Sequence, residues 1–370
     1  MVAIDQVLEK LSTVIDPDLK KDIVSMGMIK DLELNDGNLK FTLELTTPAC
    51  PFNVEIEDDV RKVIAELSDL KNFDLNVTAK VMEGRSLEAD TQMATVKNII
   101  GVASGKGGVG KSTVSLNLAL ALSQTGAKVG LLDADIYGPS IPLMLGMEDG
   151  SMEVEDNKLQ PADVNGLKVV SFGFFADQSK QAAIYRGPII SGILKQFLVD
   201  TNWSELDYLI VDLPPGTGDI HLSIMQSLPI SGAIIVSTPQ VVALSDARKG
   251  VSMFKKENIN VPVLGLIENM SYFTPLELPK NKYYLFGKDG AKNLASDLKI
   301  PFLGDLPIIQ SIREAGDFGR PASMQDDTIS ENIFNEISKN MLSQLVIRNK
   351  ELPETEIIKI TTMSGCSAKK

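Results

Sequence analysis

A glycine-rich run in the chain carries residues suited to phosphate binding. It reads GKGGVGKS at positions 105–112 and satisfies the pattern G-x-x-x-x-G-K-[ST]. Glycines allow successive backbone N–H groups to turn inward around phosphate oxygens, and a following helix N-terminus adds positive potential. In this pattern the lysine, here Lys111, reaches the β- and γ-phosphates, and the hydroxyl of Ser112 binds Mg²⁺. The run therefore predicts a site for a nucleoside triphosphate with Mg²⁺.

The same run also contains the dinucleotide pattern G-x-G-x-x-G, which starts at Gly105. Lys111 and Ser112 follow that pattern directly, and Asp133 and Asp135 replace the single ribose-binding carboxylate expected after it. We therefore favour the phosphate loop. The predicted nucleotide-binding residues are the loop and its neighbours: Gly105, Lys106, Gly107, Gly108, Val109, Gly110, Lys111, Ser112, Thr113 and Asn269.

Lys106 is a second cation inside this loop. Two lysines that flank four small or apolar residues would repel each other unless an anion lies between them. One interpretation has Lys106 reach a nucleotide, across a dimer interface. The other has Lys106 as a solvated loop residue, and the loop sequence alone leaves both open.

Three aspartates stand at the ends of predicted buried strands. Asp212 follows the apolar run 208–211, and Asp133 and Asp135 follow the run 129–132. A single aspartate at such a place can be only a helix cap. Three of them behind one phosphate loop favour nucleotide hydrolysis, with carboxylates that order Mg²⁺-bound water or the attacking water.

Two further polar residues lie near these strand ends. Asn269 follows the predicted strand 263–267, and its amide could contact an adenine edge. His221, the one histidine of the chain, follows the turn-rich segment 214–219, which could sense a γ-phosphate. A lone histidine beside a helix start is more often a cap or a surface residue than a catalyst. We therefore leave His221 out of the predicted site.

Composition excludes several classes of protein. Two cysteines, Cys50 and Cys366, cannot cross-link 370 residues into a disulfide scaffold, and with one histidine they cannot supply the four ligands of a zinc finger. The net charge of −13 argues against nucleic acid as the main partner. The N-terminus lacks the apolar core of a signal peptide, and prolines interrupt the longest uncharged stretch, 220–245. We expect a cytoplasmic protein that does not enter membranes.

Hydrophobic patterning predicts where these residues are held. Residues 1–83 read as a small α+β domain, 84–95 as a polar linker, 96–347 as an α/β domain and 348–370 as a tail. Dense apolar runs that alternate with helical stretches imply a largely parallel sheet with helices on both faces. The predicted strands of the α/β domain are 99–103, 129–132, 169–172, 208–211, 233–236, 263–267 and 302–303. The predicted helices are 112–123, 189–199, 243–256, 291–298 and 329–347.

Four segments together resemble the Mrp/ApbC family of P-loop ATPases with a deviant phosphate loop, which act as iron–sulfur cluster carriers. They are KGGVGKS at 106–112, DADIYGPS at 133–140, DLPPGTGD at 212–219 and ENMS at 268–271. The resemblance spans about residues 96–347. TTPACP at 46–51 is similar to the metal–sulfur cluster assembly domain often fused in front of this family.

The resemblance implies a homodimer that encloses two ATP molecules and hydrolyses them slowly, with turnover coupled to dimer geometry. It also implies a cluster, of the 4Fe–4S type and bridging the dimer, received from scaffold proteins and delivered to recipient apoproteins. The implied roles are Lys106 on the partner subunit's nucleotide, Lys111 and Ser112 on the subunit's own nucleotide, Asp135 on the attacking water, Asp133 and Asp212 near Mg²⁺, and Asn269 on the adenine.

The chain departs from this family at the usual cluster ligands. Many members carry a C-x-x-C pair shortly after the ENMS segment, whereas positions 271–279 here contain no cysteine. Clusters are normally held by four thiolates, so Cys50 and Cys366 would have to meet their symmetry mates in a dimer. The alternative for Cys50 is a small buried residue in a turn, and for Cys366 an incidental exposed thiol.

Two other functions therefore stay open on the sequence. One is an ATP-driven dimerising adaptor that binds no cluster itself, which the missing C-x-x-C pair keeps possible. The other is a positioning ATPase of the MinD/ParA type. Residues 353–370 show no basic amphipathic stripe for a membrane, and the charge of −13 offers no basic face for DNA.

Overall fold

The computed structural model describes residues 3–50, 52–67, 70–85, 95–147, 152–174, 200–218, 228–257, 259–275, 280–325 and 328–355, together with residues 192, 197, 221, 224, 225, 277 and 278. Outside this set lie Asp219, Cys366, most of the predicted linker and the predicted helix 189–199 except for residues 192 and 197. Within the described residues no helix is long and apolar enough to cross a bilayer.

The N-terminal unit is a three-stranded sheet covered by two helices. Buried Val7 and Leu11, four residues apart, place one face of the first helix on the core. Residues 35–38 join β3 to β4 in a hairpin: Asp36 and Gly37 adopt φ values of 49° and 84°, as a tight hairpin turn requires. The elements are α1 Ile4–Leu11, β1 Ile15–Asp16, β2 Lys21–Asp22, β3 Ile29–Asn35, β4 Asn38–Leu45, α2 Asn53–Ala65 and β5 Asn72–Ala79.

The larger unit is built on an eight-stranded sheet in which one edge pair is antiparallel and the other strands are parallel. Its strands are β6 Val96–Ser104, β7 Val129–Asp133, β10 Ala162–Val164, β11 Leu167–Ser171, β12 Leu206–Asp212, β13 Gly232–Ser237, β14 Val263–Phe273 and β15 Phe302–Ile308, with a separate hairpin of β8 Val154–Glu155 and β9 Lys158–Leu159. Its helices are α3 Lys111–Gln124, α4 Ile141–Met144, α5 Val241–Phe254, α6 Gly290–Leu298, α7 Gln310–Asp317 and α8 Thr328–Glu351.

The strand order is β10-β11-β7-β12-β6-β13-β14-β15. Every residue of β7, β12 and β13 is buried, which explains why these strands appear in the sequence as unbroken apolar runs. The predicted mostly parallel α/β fold is therefore confirmed. The chain reverses its direction across the sheet at β6, which lies between β12 and β13, and ligands of open parallel sheets bind at such a switch point.

The junction at the end of the fold differs from the prediction. Helix α8 continues to Glu351, into the segment assigned to a tail, and Arg348 is buried at 7% exposure. The Arg348 guanidinium donates to the Gly84 carbonyl at 2.8 Å and to the Thr355 hydroxyl at 2.6 Å. Gly84, assigned to a linker, is thus part of the packed structure. Gly84 and Arg348 look like solvated positions in the sequence because hydrogen bonds between distant residues hold them.

Candidate functional site

The phosphate loop connects β6 to α3 and depends on its glycines at three positions. Gly108 and Gly110 have φ values of +81° and +80°, in the left-handed region that favours glycine. At Gly105 the constraint is space, because a Cβ there would lie 2.2 Å from the carbonyl carbon of Asp246 in α5. The glycine spacing thus reflects backbone conformation at two positions and close helix packing at one.

A buried ion pair lies at the start of α3. The Lys111 ammonium is 2.7 Å from Asp212 Oδ2, and the two side chains are 6% and 0% exposed. The Ser112 hydroxyl donates to the same oxygen at 2.6 Å, and the Ser115 hydroxyl donates to Oδ1 at 2.6 Å. A cation is unfavourable at a helix N-terminus, and Asp212 neutralises it. The arrangement can therefore accept phosphate oxygens at Lys111 and a cation between Ser112 and Asp212.

Asp133 lies next to Asp212, since β7 and β12 pair these two residues in register. Its carboxylate accepts the Ser171 hydroxyl at 2.9 Å and the backbone N–H of Asp135 at 3.2 Å. Burial, together with the nearby charge of Asp212, raises the pKa of Asp133 to about 7. Asp133 thus serves first to hold the loop that follows β7, and its predicted place near Mg²⁺ stays a prediction.

Asp135 differs from Asp133 in accessibility. It is half-buried, whereas Asp133 is 1% exposed. Burial, together with the charge of Asp212, raises the pKa of Asp135, and the Lys111 charge and the backbone N–H groups of Gly138 and Tyr137 offset only part of that rise. Of the two carboxylates after β7, Asp135 is therefore the one that a water molecule in the site can reach.

Asn269 lies beside the loop and not free in a cleft. Its amide N–H donates to the Val109 carbonyl at 2.8 Å, and its carbonyl accepts the backbone N–H of Met270 at 2.9 Å. A Cβ at Gly110 would lie 2.2 Å from the Asn269 amide nitrogen. Asn269 in this arrangement braces the phosphate loop, and the predicted adenine contact stays a prediction.

Lys106 lies at the outer rim of the loop. Its side chain is half-buried, and its carbonyl accepts the Ser104 hydroxyl at 2.9 Å. It lines a small cavity of about 100 Å³ with Val109, Thr238 and Phe286. Thr113, the last predicted loop contact, is half-buried in the first turn of α3. Both predicted residues thus lie around the loop.

A larger cavity of about 540 Å³ lies elsewhere, at the amino ends of β7 and β12. Lys128, Lys168 and Glu205 line it, but these charges are exposed and paired, Lys128 with Glu205 at 3.1 Å. Buried ionisable groups are concentrated instead beneath the phosphate loop. Chemistry, not cavity size, therefore locates the site.

Cys50 lies where the two units meet. In the same turn, the Thr47 hydroxyl hydrogen-bonds with the Tyr208 hydroxyl of β12 at 2.7 Å, and Ala49 packs into the core of the larger unit. The Cys50 thiol donates to Asp18 Oδ2 at 3.9 Å. Burial, with the nearby carboxylates Asp18 and Asp16, raises the pKa of this thiol to about 12. Cys50 is therefore a protonated thiol in this arrangement.

The second predicted cluster ligand, Cys366, lies outside the described residues. Within the described part of the chain, no group of three or more His, Cys, Asp or Glu side chains could hold a metal ion. Mg²⁺ needs fewer protein ligands, since phosphates and water supply the rest. The hydroxyl of Ser112 and the carboxylate of Asp212, 2.6 Å apart, suit that ion.

Sequence reasoning missed two residues of the site. Ser115 shares Asp212 with Ser112, and Ser171 binds Asp133. Ser115 follows Ser112 by three residues, so helical spacing alone indicates that both face the same strand. No local pattern points to Ser171, because it reaches the site only through the pairing of β11 with β7.

A glycine loop between a buried strand and a helix, with a lysine–aspartate pair beneath it, defines a P-loop nucleotide-binding protein. Residues 95–342 match the family model described as the NUBPL iron-transfer P-loop NTPase. The chain therefore belongs to this family of P-loop NTPases. Residues 4–73 match a second model, described as an iron–sulfur cluster assembly protein.

Full-length relatives share both parts. The chain is 46% identical over 350 residues to a protein of Synechocystis sp. named iron–sulfur cluster carrier protein. The aligned residues make up 93% of this chain and 98% of the relative. It is 42% identical over 355 residues to a protein of that name from Deinococcus radiodurans, with 95% and 98% covered. A solved nucleotide-binding protein from Archaeoglobus fulgidus in complex with ADP is 40% identical, with a TM-score of 0.56, over 64% of this chain and 92% of that one.

Proposed function

We propose that this protein binds and slowly hydrolyses ATP as a homodimer, and that its nucleotide state controls the carriage of an iron–sulfur cluster. The observation that carries the nucleotide part is the buried group of Lys111, Ser112 and Asp212 beneath the glycine loop. Relatives named iron–sulfur cluster carrier proteins support the cluster part.

Phosphate has a ready partner in this site. When a triphosphate enters the loop, Lys111 exchanges Asp212 for phosphate oxygens. Ser112 and Asp212 would then hold Mg²⁺, with Asp133 on the neighbouring strand. Bound Mg²⁺ supplies positive charge that stabilises the negative charge of the phosphates.

We assign to Asp135 the role of accepting a hydrogen bond from the attacking water. Its half-buried position supports the role, since a water beside the terminal phosphate needs an acceptor that solvent can reach. Buried Asp133 lacks that access. Asp133 instead accepts the backbone N–H of Asp135, which fixes the segment that carries the acceptor.

Replacement of Lys111 by alanine tests the nucleotide part. K111A should lose ATP turnover by at least a hundredfold, because the cation that meets the β- and γ-phosphates is gone. K128A is the matched control: Lys128 is 61% exposed, pairs with Glu205 and lies at the opposite end of the strands. Release of inorganic phosphate measures both. Equal turnover in K111A and K128A would contradict the proposal.

Dimer formation is tested at Lys106, which we assign to the nucleotide of the partner subunit. Its place on the rim of the loop supports that assignment. K106A should still bind ATP but should remain monomeric when ATP is added, as measured by light scattering. A K106A protein that dimerises with ATP like the wild type would leave Lys106 as a solvated loop residue.

Cluster carriage depends on the two cysteines of each chain. We propose Cys50 and Cys366 as ligands that meet their counterparts in the dimer, with a scaffold protein as donor and apoproteins as recipients. The cluster is cargo, and four thiolates from two chains match the usual number of ligands. Anaerobic reconstitution with iron and sulfide tests this. Brown absorbance retained by the double variant C50S/C366S would exclude ligation by these residues.

A second candidate function is an ATP-driven adaptor that binds no cluster. The pKa of the half-buried Cys50 thiol, about 12, favours this function, because a protonated thiol is a poor metal ligand. Iron content after purification without oxygen separates the two functions. About one cluster for each dimer supports the carrier, and no iron together with ATP-dependent dimers supports the adaptor.

A further inference from the structure

His221, the one histidine of the chain, is buried with its ring unpaired. The residue is 2% exposed, and neither Nδ1 nor Nε2 has a hydrogen-bond partner among the residues that the structure describes. Buried polar groups are normally bonded, and an unbonded one destabilises the fold. A leucine of similar size would avoid that cost. The presence of an imidazole here therefore calls for a role outside packing.

The surroundings of the ring point to the loop 213–218, which follows Asp212. The backbone N–H of His221 donates to the Gly218 carbonyl at 3.1 Å, so the residue stands at the end of that loop. The Pro214 carbonyl, at the other end of the loop, approaches the ring closely enough to raise its pKa, although no hydrogen bond of good geometry forms. Burial and the charge of Lys111 lower the pKa of His221. The ring is therefore neutral, with one donor and one acceptor available.

The same loop lies against the phosphate site. Leu213 and Gly216 donate their backbone N–H groups to carbonyls of Val102 and Ser104 in β6, both at 2.9 Å. A Cβ at Gly107 would lie 4.0 Å from Pro215, so the loop runs close beside the phosphate loop. Any shift of residues 213–218 toward a bound nucleotide changes the position of the Pro214 carbonyl relative to His221.

We propose that His221 is a positioning residue for the loop 213–218: its neutral ring hydrogen-bonds to the backbone of this loop in the nucleotide-bound state and holds the loop against the phosphates. The buried ring, which has no partner within the described part of the chain, is then one half of that contact, and the backbone of loop 213–218 is the other half. His221 acts through the loop and does not touch the reacting atoms. The inference rests on the proposed ATP hydrolysis for its kinetic consequence only.

Two variants separate positioning from packing. H221L removes both polar atoms while it keeps an apolar side chain, and H221Q keeps a donor and an acceptor. We expect H221L to lower kcat for ATP at least tenfold with KM changed less than twofold, and its Tm without nucleotide to stay the same or to rise by a few degrees. H221Q should keep more than a third of the wild-type kcat. Wild-type kcat in H221L, or equal losses of kcat and Tm in both variants, would overturn the proposal.

A measurement without turnover distinguishes this proposal from the proposed function. Because the chain has one histidine, untagged protein labelled with ¹³C-histidine gives a single ring signal in NMR spectra. A non-hydrolysable ATP analogue with Mg²⁺ should shift that signal, and K111A should abolish the shift. An unchanged ring signal in wild-type protein that binds the analogue would refute the role of His221 alone. Wild-type protein that binds the analogue and shifts the signal, yet hydrolyses no ATP, would refute the ATPase alone.

Discussion

The phosphate loop and the Cys50 turn are both places where ionisable groups are buried, but they are arranged for opposite purposes. Beneath the loop, Lys111 and Asp212 carry opposite charges 2.7 Å apart, so the charged forms stabilise each other. Around Cys50 the neighbours Asp18 and Asp16 repel a thiolate, and burial disfavours it further. The first region is ready for its ligand. The second must open, or lose its acidic neighbours, before the sulfur can bind metal.

This contrast explains why nucleotide binding and cluster binding, the two parts of the proposed function, require different structural changes. The nucleotide site needs an exchange of partners at Lys111, within one unit of the fold. Cluster binding at Cys50 needs a change at the contact between two units, where Thr47 and Tyr208 hydrogen-bond. Tyr208 and Asp212 belong to the same strand, β12, which therefore connects the two regions.

The largest effect is expected at Asp212, where D212N breaks the paired region. The substitution leaves the Lys111 ammonium buried without a counter-charge, and loss of one partner of a buried pair costs about 3–5 kcal/mol. We expect urea unfolding to report that loss and ATP turnover to disappear. The control is D163N: Asp163 is 51% exposed in its pair with Lys168 and should change stability little. A D212N protein as stable as D163N would mean that the pair is not a stabilising unit.

The second prediction tests the protonated thiol. In a C366S background, alkylation of Cys50 by iodoacetamide at pH 8 should be roughly a thousandfold slower in the folded protein than in urea, because the pKa of the thiol rises from 9.0 to about 12. Mass spectrometry measures the rate. Equal rates in the two states would show that the turn is open in solution.

The third prediction uses the pH dependence at Asp133. The pKa of Asp133 is about 7 in the folded protein, whereas its ordinary value is 3.8. Between about pH 4 and pH 7 the folded protein therefore keeps a proton on this carboxyl that the unfolded chain has lost. Stability from this group is therefore full below about pH 4 and is lost as the pH rises through 7. Urea unfolding of nucleotide-free wild type and D133N should diverge over that window. Parallel curves would contradict the buried, protonated carboxyl.

The smallest effect is expected at Tyr208. Y208F removes one buried hydrogen bond to Thr47, for a loss of about 1 kcal/mol in the free energy of unfolding. The informative readout is again the alkylation of Cys50, which should become severalfold faster as the contact between the units weakens. Y283F, which changes an exposed tyrosine of the larger unit, is the control. An unchanged alkylation rate in Y208F would separate the hydrogen bond from the protection of Cys50.

Much of the nucleotide site was predictable because it is local. The strand, the glycine loop and Lys111 follow one another in sequence, and the backbone needs of Gly108 and Gly110 are set by φ values of +81° and +80°. The strand ends that carry Asp133 and Asp212 were recognisable because their runs are buried and unbroken. Asn269 was predicted near the nucleotide, but its bond to the Val109 carbonyl was not.

The rest depended on contacts between distant segments. The sequence around Gly84 does not indicate that the guanidinium of Arg348, 264 residues later, donates a hydrogen bond to the Gly84 carbonyl. His221 looked like a surface or capping residue, because burial at 2% exposure cannot be read from its neighbours. Polar side chains that are held by long-range hydrogen bonds resemble solvated ones in sequence.

By itself, the sequence determined that this chain has a phosphate loop on a parallel sheet, since backbone conformation and hydrophobic period are encoded within a few residues. It also determined that each chain offers only two thiols to a cluster. The tertiary structure alone decided the electrostatic state of each group: Asp212 is paired with Lys111, and Cys50 is half-buried beside Asp18. The physical reason is that charge stabilisation depends on burial and distance in space, which chain order does not encode.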